Sequence, residues 1–161
     1  MRLGDFKALS FDCYGTLIDW ERGLLGMLRP WLGRHGVAAS DDEVLEVYAD
    51  CEHECQASMA KAPYPVILAR VHAMLGEHYA IPSEVSERDA FAASIGSWPP
   101  FPDTAEALQY LKRRFKLIIL SNVDNASFSK SERAMGTKFD AVYTAEIIGS
   151  YKPSLNNFRY L

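Results

Sequence analysis

The sequence has no long hydrophobic run, few cysteines and no long cluster of basic residues. No stretch reaches the roughly 18 consecutive apolar residues that a transmembrane helix needs, so we expect no membrane partner. Charges within the first twelve positions exclude the apolar segment of a secretion signal there (Arg2, Asp5, Lys7 and Asp12). The three cysteines give an odd count and no disulfide framework, which predicts a reducing, cytoplasmic location.

The charge balance bears on the partners of the protein. The 161 residues carry a formal net charge of −4 and a pI near 5.6, whereas nucleic-acid binding needs a basic face. The short basic run 112–114 falls at the end of a predicted helix, where cations suit the helix dipole. We therefore predict no nucleic-acid partner. Hydrophobic residues make up 48% and charged residues 24%, as in a globular protein with a substantial core.

Apolar runs predict three strands. The first, Ala8–Phe11, lacks alternation and is predicted to be buried on both faces of a parallel sheet. The second is 115–120 and the third 139–144. Between them we predict a helix capped by Asp103 and another over 126–135 that Gly136 ends, with one more helix after Pro153.

Residues 19–97 show a helical pattern throughout. We predict helices over 20–32, from Ser40 to about Ala60, from about Pro65, and over 86–95. Ser40 and Glu43 form a capping box at the start of the second helix. That helix carries an apolar stripe at helical spacing, made of Val44, Tyr48, Cys51, Cys55 and Met59. The proline-rich segment 97–103 cannot continue a helix and is interpreted as the return linker.

Strands that alternate with helices predict an α/β fold with a parallel sheet and right-handed crossovers. The predicted domains are an α/β core of residues 1–18 and 98–161 and an inserted helical cap of residues 19–97. Ligands of such sheets bind beyond the carboxyl ends of the strands. Asp12 and Ser121 follow two predicted strands, and Lys152 lies a short loop beyond the third. We therefore expect these three side chains to share a site.

Three segments resemble the motifs of one known family. FDCYGTLIDW (11–20), LSNVDN (120–125) and SYKPS (150–154) resemble, in order and spacing, the first three motifs of the haloacid dehalogenase (HAD) superfamily. The first segment is closest to that of the type II 2-haloacid dehalogenases. The resemblance implies a HAD-like Rossmannoid sheet with a helical cap, and a hydrolase that acts on a small molecule.

The resemblance also implies roles for the motif residues. Asp12 is expected to be the nucleophile, because a carboxylate forms an ester that water can hydrolyse. Lys152 is expected to keep Asp12 ionised at a buried strand end. The hydroxyls of Thr16 and Ser121 would orient the carboxylate and the substrate. The residues predicted to border the substrate are Tyr14, Gly15 and Asn122, and Asn122 could instead order its loop.

The reaction is left open between two enzyme classes. Phosphatases of the superfamily place a second Asp two residues after the nucleophile, and this chain has Tyr14 there. That difference favours a 2-haloacid dehalogenase, which needs no metal or other cofactor, over a phosphatase of small phosphorylated metabolites that uses Mg²⁺. Against it, the helix from Ser40 to Ala60 contains no Arg, although the family's cap supplies one for the halide.

A further alternative is an inactive fragment. The family's fourth motif, an acidic loop after a fourth strand, does not occur in these 161 residues, so we expect a C-terminally truncated chain. An exposed first strand could then pair two copies into a homodimer. The segment 51–55 (CEHEC) is not interpreted as a metal site, because Cys51 and Cys55 lie on the apolar stripe and His53 points away from it.

Overall fold

The computed structural model describes residues 2–59 and 61–161 and has an α/β fold. Three parallel strands form one sheet in the order β1-β2-β3: β1 (Ala8–Phe11), β2 (Lys116–Ser121) and β3 (Ala141–Thr144). Ala8 pairs with Lys116, and Ile118 pairs with Ala141. Because the strands are parallel and in register, their carboxyl ends meet at one edge of the sheet, as the sequence predicts.

The first strand is more exposed than its apolar run predicts, and it lies at the sheet edge, as the alternative with an exposed first strand supposed. Its residues alternate between exposed and partly buried positions, so the prediction of burial on both faces is wrong. The reason is its place in the sheet: among the described strands, β1 has β2 as a neighbour on one side and none on the other. The central strand β2 has the buried pattern instead, with Leu117 and Ile119 fully buried.

Five of the described helices lie between β1 and β2, and the first four form the helical block and end close to the predicted bounds. These four are α1 (Trp20–Arg34), α2 (Asp41–Ser58), α3 (Tyr64–Tyr79) and α4 (Val85–Ser94), followed by a 3-10 turn (Ile95–Ser97). The Ser40 hydroxyl accepts the backbone N–H of Glu43 at 3.2 Å, which fixes the start of α2. Ala60, where we expected this helix to end, lies outside the described residues.

The apolar stripe of α2 is buried at Val44, Tyr48, Cys51 and Cys55, where it packs on α3 within one continuous hydrophobic core. This cluster also contains β2 residues, so the helical block and the sheet share a core. In the described part of the chain, no helix combines the length and apolarity needed to cross a bilayer. The domain limits 18/19 and 97/98 stay a prediction.

The two segments that connect the helical block to the sheet pair with each other. The N–H of Asp19 donates to the Pro99 carbonyl at 2.8 Å, and the N–H of Phe101 donates to the Leu17 carbonyl at 3.1 Å. Thr104 Oγ1 donates to the same Leu17 carbonyl at 2.8 Å. These bonds satisfy the linker backbone and fix the helical block over the carboxyl edge of the sheet.

The elements around β2 and β3 are α5 (Thr104–Lys112), α6 (Asn125–Met135), α7 (Ala145–Ile148) and α8 (Leu155–Phe158). Gly136 ends α6 in the left-handed conformation that glycine favours, as predicted. Two details differ from expectation. Asp103 precedes α5, but its side chain makes no capping bond, and the single-turn helix α7 was not predicted because four residues carry no helical period.

Candidate active site

Asp12 directly follows β1 and opens a tight turn. The Cys13 carbonyl accepts the backbone N–H groups of Leu17 at 2.7 Å and Ile18 at 3.0 Å. Gly15 has φ +90°, a backbone conformation that costs glycine little. The turn leaves the Asp12 side chain 45% exposed, so it is less buried than expected at a strand end. Cys13 itself is fully buried, and burial raises the pKa of its thiol.

Lys152 meets Asp12 at the carboxyl edge of the sheet. Its Nζ donates to Asp12 Oδ1 at 2.6 Å and to the Leu120 carbonyl at 2.9 Å. The lysine comes from the loop after α7, and its partners are Asp12, which follows β1, and Leu120 of β2. The structure therefore brings together two residues that are 140 positions apart in the sequence, as the strand-end argument predicts.

Asn122 fixes the backbone that carries Lys152. Its side-chain oxygen accepts the Lys152 N–H at 2.6 Å, and its side-chain nitrogen donates to the Lys152 carbonyl at 3.0 Å. A third contact, from the same nitrogen to Gln56 Oε1, is longer at 3.4 Å. Of the two roles predicted for Asn122, ordering the loop is the one that these bonds support.

Ser121, the last residue of β2, has a hydroxyl available for a ligand. The residue is 2% exposed, and its Oγ has no hydrogen-bond partner among the described residues. A buried polar group without a partner costs free energy, so native proteins seldom leave one without a reason. A substrate oxygen in the neighbouring cleft could supply the missing bond.

A cleft of about 250 Å³ lies at this edge of the sheet. Its volume is below the roughly 300 Å³ at which pockets for drug-sized ligands begin, so it suits a small substrate. Its core wall consists of Asp12, Tyr14, Ser121, Asn122 and Lys152, and its cap wall of Glu52, Gln56 and Tyr64. Thr16 and Gly15 are exposed in the turn and do not line the cleft, so their roles stay predictions.

The Tyr14 hydroxyl bonds to Ser131 Oγ of α6 at 3.0 Å. Its ring meets Trp98 edge to face, with centroids 5.8 Å apart. Burial raises the pKa of Tyr14, so the phenol stays protonated near neutral pH. The ring borders the cleft, whereas the hydroxyl is engaged by the α6 side chain.

The cap wall was not predicted. Glu52 projects from α2, and its Oε1 accepts hydrogen bonds from the hydroxyls of Tyr48, at 3.2 Å, and Tyr64. The two hydroxyls also lie 3.1 Å apart. Burial raises the pKa of the Glu52 carboxyl, and the bonds donated by Tyr64 and Tyr48 partly oppose that rise. The only sequence signal was the position of Glu52 beside the apolar stripe.

The residues of the cleft do not assemble a metal site. Within 2–59 and 61–161, no group of three or more His, Cys, Asp or Glu side chains is placed to hold an ion. Mg²⁺ prefers oxygen ligands, but Asp12 Oδ1 is already bonded to the Lys152 ammonium. In the CEHEC segment, Cys51 and Cys55 are buried and His53 is exposed, as predicted.

Known proteins resemble this chain in both sequence and fold. The family model of haloacid dehalogenase-like hydrolases matches residues 6–161. No curated protein matches the sequence significantly. Among solved structures, the L-2-haloacid dehalogenase from Xanthobacter autotrophicus is 25% identical with a TM-score of 0.77, and the match covers 96% of this chain and 63% of that one.

Two further structures share the fold at 17% identity. They are the defluorinating L-2-haloacid dehalogenase Rha0230 (TM-score 0.81, covering 96% of this chain and 66% of that one) and the HAD-hydrolase YfnB from Bacillus subtilis bound to magnesium (TM-score 0.75, covering 96% and 72%). The chain thus spans slightly less than two thirds of the length of two of these three relatives. Because the family model covers nearly the whole sequence, the chain belongs to the haloacid dehalogenase-like hydrolases.

Proposed function

We propose that this hydrolase uses Asp12 as a nucleophile, in the manner of the 2-haloacid dehalogenases. The observation that carries the proposal is the 2.6 Å contact between Lys152 Nζ and Asp12 Oδ1 at the mouth of a small cleft. A carboxylate held by an ammonium group at a strand end is oriented and keeps a second oxygen for attack. The sequence likeness to the Xanthobacter autotrophicus L-2-haloacid dehalogenase supports the same reaction.

The reaction has two steps. In the first, an Asp12 oxygen attacks the carbon that bears the halogen. The new C–O bond forms as the carbon–halogen bond breaks, and the halide leaves with the bonding electrons. In the second, water adds to the carbonyl carbon of the aspartyl ester. The ester C–O bond breaks, the hydroxy product leaves, one proton passes to solvent, and the Asp12 carboxylate is restored.

The neighbours of Asp12 have distinct roles in these steps. Lys152 orients the attacking carboxylate and stabilises the oxyanion that forms on the ester carbonyl in the second step. The Ser121 hydroxyl, which has no described partner, donates to a substrate oxygen. Asn122 keeps Lys152 in place through its two bonds to the Lys152 backbone.

The chemistry of the leaving group favours a halogenated substrate over a phosphate ester. An alkoxide leaving group needs a proton, and phosphatases of this superfamily take it from an Asp two residues after the nucleophile. This chain has Tyr14 at that position, and its hydroxyl is bonded to Ser131. A halide leaves without a proton, so the cleft needs no general acid for this leaving group. Phosphatase activity and an inactive fragment remain the other outcomes of the test below.

Halide release from 2-chloropropionate without added metal tests the proposal. Phosphate release from an aryl phosphate with Mg²⁺ is measured beside it. We expect halide release by the wild type and a loss of at least about a thousandfold in Asp12→Asn, since the nucleophile is removed. Asp89→Asn, an exposed aspartate of α4, is the matched control and should keep the wild-type rate.

Each other result contradicts the proposal in its own way. Halide release that survives in Asp12→Asn would remove the nucleophile assignment. Phosphate release alone would favour the phosphatase. A folded protein that releases neither product would favour the inactive fragment.

A further inference from the structure

Glu52 gives the cleft a wall that neither the sequence motifs nor the proposed chemistry uses. The core wall supplies the nucleophile and its partners. The cap wall adds a second carboxylate to the same cleft, together with the side chains of Gln56 and Tyr64. A small molecule that fills this cleft therefore lies near both Asp12 and Glu52.

This carboxylate is held in place by its neighbours. Two phenol hydroxyls donate to its Oε1, from Tyr48 of α2 and Tyr64 of α3. Both tyrosines are buried, and burial raises the pKa of each phenol, with Glu52 adding to the rise. They therefore remain protonated donors. Glu52 is thus a cleft residue that two buried hydroxyls hold in place, unlike a solvated carboxylate on a helix surface.

The charges around Glu52 do not neutralise it. Lys152 is the one cation among the residues that line the cleft, and its ammonium is already bonded to Asp12 and to the Leu120 carbonyl. Glu52 takes part in none of the ion pairs found among the described residues. The groups that face it are Tyr48 and Gln56 from α2, Tyr64 from α3, and Asp12, Asn122 and Lys152 from the core wall. An ionised substrate carboxylate would enter beside two carboxylates and share one lysine with them.

We infer that Glu52 sets the substrate preference of this cleft. The preferred substrate carries a neutral or cationic hydrogen-bond donor, such as a primary amide, beside the reacting carbon. A substrate with a free carboxylate at that position binds less well. The inference rests on the proposed function for the position of the substrate between Asp12 and the cap wall. A like charge facing the carboxylate is unfavourable, whereas an amide N–H can donate to it.

Binding of two unreactive probes tests the inference without turnover. Propionamide and propionate have nearly the same shape and differ in charge. NMR titrations of the full 161-residue chain at pH 8 should show propionamide binding at least about tenfold more tightly. Glu52→Gln should bring the two affinities together, because the amide keeps the shape and removes the charge. Glu54→Gln, an exposed glutamate on the same helix, should leave the ratio unchanged.

The pH dependence gives a second readout with a fixed sign. Burial raises the pKa of Glu52, so its charge is lost as the pH falls towards that raised value. Propionate, which is still ionised at pH 6, should then bind more tightly at pH 6 than at pH 8 in the wild type and in Glu54→Gln. The pH effect should be smaller in Glu52→Gln. Circular dichroism verifies that each variant is folded.

Several results would overturn the inference. They are equal affinities for both probes in the wild type at pH 8, no binding of either probe, or the same ratio in Glu52→Gln and Glu54→Gln. Halide release from 2-chloropropionamide and 2-chloropropionate separates this failure from that of the proposed function. If halide release depends on Asp12 but is faster from 2-chloropropionate in both the wild type and Glu52→Gln, only the inference about Glu52 is wrong. If propionamide binding depends on Glu52 but neither chlorinated compound releases halide, only the proposed chemistry is wrong.

Discussion

Two lysine–aspartate ion pairs lie at opposite ends of the same sheet. At the carboxyl ends, Lys152 Nζ is 2.6 Å from Asp12 Oδ1, and at the amino ends Lys116 Nζ is 2.8 Å from Asp140 Oδ1. The side chain of Lys152 is 21% exposed and that of Lys116 is 72% exposed. The two pairs therefore have the same chemistry and nearly the same length in different surroundings.

The difference shows that the surroundings, and not the ion pair, make a candidate site. Asp140 also accepts the N–H of Leu117, and the bond from Lys116 lowers the pKa of Asp140. That pair therefore joins the start of β2 to the segment before β3. The Asp12 pair lies beside the unpartnered hydroxyl of Ser121 and opposite the cap wall. At the carboxyl end, the ion pair and a buried, unpartnered hydroxyl thus line the same cleft.

Replacing the two lysines tests this comparison most directly. Lys152→Met should lower kcat for halide release about 10²–10³-fold, the range found when one preorganised charge-stabilising donor is removed. Lys116→Met breaks an ion pair of the same type and should leave kcat unchanged. Equal losses in both variants would mean that activity responds to general charge or stability, and the distinction between the two ends would be lost.

The next prediction concerns the position of the cap over the carboxyl edge. A Cβ at Gly23 of α1 would lie 2.3 Å from Trp98 Cγ and 2.7 Å from Trp98 Cβ, so Trp98 or the helix would have to move. Gly23→Ala should therefore lower the free energy of unfolding by roughly 1–3 kcal/mol, the usual cost of overpacking. Urea unfolding measures this loss, and the KM for the substrate should rise because the cap wall shifts.

Gly26 provides a matched control on the same helix. No atom lies within 4 Å of a Cβ built there, so Gly26→Ala should stabilise the protein by about 0.5–1 kcal/mol through helix propensity. If Gly23→Ala were as stable as Gly26→Ala, the close packing of Trp98 on α1 would not hold the cap in place.

The core wall could be predicted from sequence because backbone topology alone determines it. In a parallel sheet, the residues that follow the strands meet at one edge, so Asp12, Ser121 and Lys152 come together whatever their side chains do. The apolar run of β1 does not predict its edge position, although an exposed first strand is one of the alternatives drawn from the sequence. Its apolar run resembles that of a fully buried strand, and only the strand order distinguishes the two cases.

The cap wall could not be predicted because helical periodicity does not identify it. The stripe of Val44, Tyr48, Cys51 and Cys55 is fully explained by packing on α3. Glu52 and Gln56 lie one position beyond Cys51 and Cys55, at the border of that stripe, where a charged residue usually meets solvent. Whether such a border faces water or a cleft depends on how the helix is placed over the sheet, and no local pattern encodes that placement.

The smallest expected effect would test whether the unpartnered hydroxyl serves a ligand. Ser121→Ala removes a buried Oγ that no described residue bonds, so stability should change by no more than about 0.5 kcal/mol. If the hydroxyl donates to a substrate oxygen, kcat/KM should fall about tenfold, which corresponds to ~1.4 kcal/mol. Thr137, between α6 and β3, has a buried Oγ1 that also lacks a described partner and does not line the cleft. Thr137→Val should therefore match Ser121→Ala in stability and leave kcat/KM unchanged, whereas equal activities of the two variants would mean that Ser121 is only a packing residue of β2.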